Sequence, residues 1–363
     1  MKKIKKQHKS AHRTMILMIL VYLTVVIGTA ENLNLSELPV PDGETLLNGA
    51  WTDELETCLK QNLGFHDMLF QLKSQTDLII GEKMIQGVYI TDERLIEKQV
   101  SAEAGDAGII NHFYQEYHIP TYLVLVPSAS EIYESTLPAN SLNANQEKMM
   151  KSIYSDTETG IRCVDAYHIL SSLEDSYIYY RTDSHWTSYG AYEVYQSAIQ
   201  KMGFAPVSYQ KYVISHLSTD FRGDLYQKTL YDGIKPDVLD CYTYEKGSEI
   251  TDIRVRYQDG TIEKRSGLYD KSALETDEMY RFYLGEPCQR MIIRTNLDND
   301  KKLLLYKDDF GDCMIPFLLQ HYSEICVVNL EQTGNQFQEV AEPSDYTQAM
   351  FLCSVTNWQE IFQ

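Results

Sequence analysis

Apolar positions along the chain fall into several rhythms. Met15 to Ile27 is continuously apolar except for Thr24. Leu55, Leu59 and Leu63 then recur at helical spacing, with Gly64 as a stop. A second helix is predicted over Asp67–Ile80, with Leu69, Leu72, Thr76 and Ile79 on one face and Gly81 closing it. Val88–Ile90 and Leu95–Glu97 flank Thr91–Arg94 as a hairpin would. Tyr122–Val126 is an unbroken apolar run ended by Pro127, the pattern of a strand buried on both faces. Similar runs occur at Met291–Ile293, Leu303–Tyr306, Ile325–Val328 and Met350–Cys353. Helical patterns separate several of them, among them Ala191, Tyr195, Ala198 and Met202 before Gly203. The alternation predicts an α/β fold with a mainly parallel sheet. Residues 205–290 break the rhythm, rich in Tyr, Asp, Lys and Gly, and read as an irregular, partly β insertion.

The N-terminus changes the picture of where the chain works. Lys2, Lys3, Lys5, Lys6, Lys9 and Arg13 precede the first apolar run, and Gly28-Thr29-Ala30 follows it. A basic head before an apolar stretch of ~7–15 residues is the layout of a secretory signal. Residues 1–30 are therefore expected to be a signal peptide or membrane anchor, 31–48 a linker, and 49–363 the folded domain. The positive-inside rule sends that domain out of the cytoplasm. With 32 basic against 52 acidic residues, the formal charge is −20. Such a body repels phosphate backbones, which argues against nucleic-acid binding. The seven cysteines form no CxxC or Cys/His cluster, so a structural zinc site has no support. Their spacing leaves disulfide pairing open. No cofactor is implied.

Two stretches carry candidate chemistry. In Tyr179-Tyr180-Arg181-Thr182-Asp183-Ser184-His185-Trp186-Thr187, just before a helix, Asp183 and His185 suit an orienting carboxylate and a general base. Trp186 is placed to exclude water. In Leu303 to Asp312, a buried strand runs into a turn and then a helix. The carboxyl edge of a parallel sheet is where α/β folds hold ligands.

Thr182-Asp183-Ser184-His185-Trp186 resembles the Asp-His-His-Trp signature of the bacterial DHHW proteins, with Ser184 in place of the middle His. Lys307-Asp308-Asp309-Phe310-Gly311, with Ile315-Pro316-Phe317-Leu318 and His321-Tyr322, resembles that family's second block. Gly87–Ile90 with Leu95–Lys98, and Phe221-Arg222-Gly223-Asp224-Leu225, resemble further blocks. The family is similar to exported SGNH-type enzymes that O-acetylate alginate and other surface polysaccharides. The resemblance implies a flavodoxin-like three-layer core and a triad of Asp, His and Ser. It also implies a cell-envelope or secreted polysaccharide as ligand and a membrane protein that delivers acyl groups. By position, Asp183 orients, His185 is the base, and the nucleophile falls on Asp309, where the family has Ser. Trp186, Tyr180, Tyr179 and Gly223 are the expected substrate-binding residues.

An aspartate changes the chemistry. With an ordinary pKa of ~3.9, Asp309 has no proton for His185 to remove. Its attack on an acyl carbon would give a mixed anhydride and bring negative charge where an oxyanion must form. Four alternatives follow. Asp309 pairs with a protonated His185 in a non-catalytic homologue. Another serine (Ser184, Ser128 or Ser130) serves as nucleophile. Asp183, His185 and Asp309 hold a metal ion. Or the site is that of a carboxylate-based hydrolase.

Overall fold

The computed structural model describes residues 66–100 and 106–362, with Leu20 and Gly28 as isolated positions. The export segment, the linker and the helix expected around Leu55–Leu63 lie outside the described residues. The chain divides into two units, Met1–Glu82 and Lys83–Gln363. The first contains a helix over His66–Ile79, within a residue of the predicted bounds. No helix among the described residues is long and apolar enough to cross a membrane.

The second unit opens with a three-stranded antiparallel sheet: β1 (Met84–Ile85), β2 (Val88–Ile90) and β3 (Leu95–Glu97). Gln86 and Gly87 both take positive φ (46° and 78°), the two-residue hairpin turn in which glycine is favoured. The predicted β2–β3 hairpin forms, with Ile90 opposite Leu95.

The remaining strands are β4 (Thr121–Val126), β5 (Arg162–Val164), β6 (Val213–Phe221), β7 (Asp237–Thr243), β8 (Ile250–Arg256) and β9 (Ile262–Arg265). Then come β10 (Arg290–Thr295), β11 (Lys302–Lys307), β12 (Glu324–Asn329) and β13 (Gln348–Ser354). Eight of them form one sheet in the order β5-β4-β13-β11-β12-β10-β8-β9. The first five are mutually parallel, and β10, β8 and β9 join antiparallel. The sheet is thus mixed.

Alternate side chains of the parallel strands bury on opposite faces. Val124, Leu305, Val327 and Leu352 enter one core, with Ala191, Tyr195 and Ala198 of the helix Ser188–Lys201. Leu125, Leu304, Cys326 and Phe351 enter the other, with Phe113, Met149 and Trp358 from three further helices. Helices on both faces explain why these strands read as continuous apolar runs.

The structure departs from the expected flavodoxin-like, mainly parallel sheet in two respects. In chain order the parallel strands run 2-1-5-3-4 rather than 2-1-3-4-5, because β13 inserts between β4 and β11. Its residues Ala349–Ser354 are all buried, which suits a central place. The second is the antiparallel edge: β8 and β9, from the insertion, extend the sheet through β10, while β6 and β7 pair as a separate ribbon. The six described cysteines are all free thiols.

Candidate functional site

The loop before the helix Ser188–Lys201 is a tight, internally bonded segment. Tyr179 and Trp186 form an isolated antiparallel bridge, and Tyr180 N–H donates to His185 O at 3.2 Å. A buried carboxylate at the start of β7 holds the loop from beneath. Asp237 accepts from Tyr177 O–H (2.5 Å), Arg181 N–H (2.8 Å), Thr182 N–H (2.8 Å) and Thr182 Oγ1 (2.6 Å). Ser184 N–H donates to Asp224 at 2.8 Å.

Asp183 and His185 sit at the tip. Asp183 Oδ1 accepts from His185 N–H at 2.9 Å and from the ring Nδ1 at 2.6 Å. Asp183 Oδ2 accepts from Asp224 N–H at 3.2 Å. A Cβ on Gly223 would lie 2.1 Å from the Asp183 side chain, so only glycine allows this approach. Gly223 has φ −83°, and its N–H donates to Thr182 Oγ1 at 3.2 Å. That N–H is therefore already used within the loop.

The second stretch comes off the end of β11. Asp308 caps the short 3-10 helix Asp309–Met314, accepting from Phe310 N–H at 3.2 Å. Its other oxygen accepts from Ser354 N–H (2.7 Å) and Asn357 Nδ2 (3.0 Å), tying this turn to the end of β13. Burial, then the adjacent Asp309, pushes Asp308 up to about 7. Lys307 is buried against Asp312. Trp186 joins the two stretches, its indole N–H donating to Phe310 O at 2.7 Å.

The two loops meet at one ring. His185 Nε2 lies 3.0 Å from Asp309 Oδ2, so a carboxylate occupies each ring nitrogen. Tyr280 stacks on the imidazole at 3.9 Å and 11°, and its hydroxyl donates to Asp309 O at 3.2 Å. Burial alone would lower the His185 pKa, but Asp309 and then Asp183 override it and hold the ring well above its ordinary value. Burial would likewise raise Asp309, yet the imidazolium and Lys307 hold it below the usual carboxylate range. The two carboxylates thus favour the protonated form of His185. The His185 side chain is 9% exposed and that of Asp309 41%, so Asp309 is the member that meets solvent.

Two cavities border this pair. The larger, about 400 Å³, is walled by Phe221, Met279, Leu284, Met291 and Val327 beside His185 and Asp309. Gly223, Asp224 and Lys307 also line it. Burial, then Asp183, raises Asp224 to about 7. The smaller cavity, about 190 Å³, is bordered by Ser128, Ser130 and Ser184.

Asp183, His185 and Asp309 are thus brought together. The substrate-facing roles expected of Trp186, Tyr180 and Tyr179 are corrected, since all three are buried in the core. Tyr179 donates to Pro127 O, Tyr180 meets Tyr283 O–H at 3.0 Å, and Trp186 is the strut described above. The alternative serines fare no better as nucleophiles. Ser128 and Ser130 bond each other at 2.9 Å and Gln146 at 2.7 and 3.2 Å, and His185 has no free nitrogen to take a serine proton. A metal held by Asp183, His185 and Asp309 is also excluded by geometry, because the carboxylates lie at opposite ring nitrogens and converge on no common point. Among the described residues no group of three or more His, Cys, Asp or Glu is arranged to hold a metal ion. Asp237 and Tyr280 are contributors that the sequence did not single out. Each lies in the irregular region, in a chain with 27 tyrosines and 52 acids, so neither had a local signal.

The DHHW protein family matches residues 78–328. No curated protein matches the chain. Among solved structures, a DHHW family protein from Eubacterium siraeum is similar over 76% of this chain and 93% of its own, at 20% identity and TM-score 0.64. Bacillus cereus PatB1 is similar over 76% of this chain and 98% of its own, at 17% identity and TM-score 0.61. PatB1 carrying a sulfonyl adduct covers 75% and 95%, at 15% identity and TM-score 0.62.

Proposed function

The chain belongs to the DHHW family, and from that premise we propose that it is an extracytoplasmic polysaccharide-binding protein derived from an O-acyltransferase, in which serine-type acyl transfer is lost. The observation that carries this reading is the 3.0 Å ion pair between His185 Nε2 and Asp309. A serine nucleophile needs a neutral imidazole to take its proton. Here the position holds an anion, and that anion keeps the imidazole protonated. The orienting half of the site is intact, since Asp183 still holds His185 Nδ1 at 2.6 Å. The basic head and apolar run of residues 1–30 support export, as a cleaved signal or a retained anchor. A folded domain outside the cytoplasm would depend on a membrane protein for any acyl donor. Residues 49–363 form the DHHW domain in this reading, with 205–290 as its insertion.

The test is Asp309→Ser. Wild type should hydrolyse p-nitrophenyl acetate at background, and the variant should gain at least ~100-fold, the scale of a positioned general base. A sulfonyl fluoride should label the introduced hydroxyl in the variant and leave wild type unlabelled. A folded variant with no gain and no label would defeat the reading of an intact acyl-transfer framework. Calorimetric titration of wild type with acetylated and deacetylated envelope polysaccharide tests the binding half.

A further inference from the structure

Residue 309 is a poor acyl-transfer nucleophile because a carboxylate attacking an acyl carbon makes an anhydride. The same carboxylate attacking a saturated carbon makes an ordinary ester, with no oxyanion in that step. The surroundings of Asp309 suit the second reaction. It is the exposed member of the pair, it meets His185 through Oδ2, and it borders a cavity of about 400 Å³ walled by Phe221, Met279, Leu284, Met291 and Val327. Behind it stands an imidazole oriented by a second, buried carboxylate at 2.6 Å. A carboxylate, an imidazole and an orienting carboxylate in series supply a nucleophile for one step and a base for the next.

We propose that Asp309 is a carboxylate nucleophile that opens a small apolar epoxide bound in the larger cavity, and that His185 completes the hydrolysis. This goes beyond the polysaccharide reading and does not depend on it. In the first step Asp309 Oδ1 bonds to an epoxide carbon and the C–O bond of the ring breaks. The released alkoxide takes the proton on His185 Nε2, leaving a hydroxyalkyl ester and a neutral imidazole. In the second step His185 removes a proton from water, whose oxygen adds to Asp309 Cγ. The intermediate expels the alkyl oxygen, the new carboxylic acid gives its proton to that oxygen, and the diol leaves. The proton that His185 took from water stays on Nε2, so the imidazolium and carboxylate are as they began, and the sum is epoxide plus water to diol.

The charge state selects the substrate class. Asp183 at 2.6 Å and Asp309 at 3.0 Å from the two ring nitrogens favour the protonated imidazole, so a proton is at hand for an opening epoxide. A halide leaving group takes no proton and would leave His185 unable to activate water. Esterification also removes the Asp309 charge that keeps the ring protonated, so the first step makes the base for the second.

The experiment uses the purified full chain and 1,2-epoxyhexane. Wild type should form hexane-1,2-diol, and in ¹⁸O-labelled water the first turnover should place the label in the Asp309 carboxylate and not in the diol. His185→Gln removes both the proton donor of the first step and the base of the second, so diol formation should fall by ~10²–10⁴-fold, and the adduct that does form should persist and map by peptide mass to Asp309. The nearly isosteric Asp309→Asn should form neither adduct nor diol. Absence of both diol and adduct from wild type would overturn the proposal. So would a first-turnover diol carrying the labelled oxygen, since water would then have attacked the epoxide directly. Activity of Asp309→Ser on p-nitrophenyl acetate reports on the acyl-transfer reading alone, so the two can fail separately.

Discussion

Strands β4, β11, β12 and β13 are buried along nearly their whole length, whereas β8 alternates buried with partly exposed positions and β9 is mostly exposed. The site draws on both regions for different things. The parallel half supplies the turn with Asp308 and Asp309 off the end of β11, with β13 and the following helix anchoring Asp308. The region of 205–290 supplies Gly223 against Asp183, Asp237 beneath the loop and Tyr280 over the imidazole. The difference separates two kinds of work. A doubly covered sheet fixes where a strand ends, and so where a side chain can be. An irregular, half-exposed region fixes what surrounds that side chain, and so its charge and the shape of its cavity.

Breaking the parallel half should cost the most stability. Phe351 is buried among Phe113, Tyr306, Phe337 and Trp358. Phe351→Ala should destabilise the fold by ~3–5 kcal/mol, read by chemical denaturation. A loss under ~1 kcal/mol would mean the core collapses around the gap.

Gly223→Val tests the second region by collision. Its side chain would meet Asp183, so the expected cost is ~1–3 kcal/mol. The His185–Asp183 contact should be displaced as well, visible as a shifted imidazole resonance.

Asp237→Asn keeps the size but removes the charge to which Tyr177, Arg181 and Thr182 donate. The expected loss is ~1–3 kcal/mol, with faster hydrogen exchange confined to residues 179–187. Unchanged exchange there would detach Asp237 from the loop.

Stability should also depend on pH in a defined direction. Asp224 and Asp308 are raised to about 7 by burial and neighbouring acids, and Glu331 to about 8 by burial and Asp309. His185 is raised too. Groups raised in the folded state bind more protons there than in the unfolded chain, so their contribution is full at low pH and is lost as pH rises. The unfolding temperature should therefore fall between about pH 4.5 and pH 8, and Asp224→Asn should flatten the slope. A temperature that rises over this window would contradict the assignment. Asp183 and Asp309 are shifted the other way, so their contribution is lost on acidification below the ordinary carboxylate range.

The smallest effect is expected from Tyr280→Phe, which keeps the stacked ring and removes the hydroxyl donated to Asp309 O. It should cost ~0.5–1.5 kcal/mol and leave the His185 titration nearly unmoved.

Much of this was legible because it is local. Tyr122–Val126 and Leu303–Tyr306 read as buried strands because strands covered on both faces lose their polar alternation. Asp183, His185 and Asp309 stood out because the motif spacing around them is short-range. The same closeness misled at Tyr179 and Tyr180. Neighbours of a site residue in sequence turn to the core as readily as to the cavity, and both rings went inward. Gly223 also matters through the approach of Asp183, a contact across about 40 residues of chain that leaves no local signal.

By itself the sequence determined the strand-forming runs and the two stretches that hold Asp183, His185 and Asp309. These are properties of neighbours along the chain. Tertiary structure alone decided that β13 lies between β4 and β11, that the indole of Trp186 ties one block to the other, and that His185 is charged. Strand order depends on which surfaces bury best against one another. The charge on an imidazole depends on the carboxylates within about 3 Å of it. Neither leaves a period or a spacing to be read.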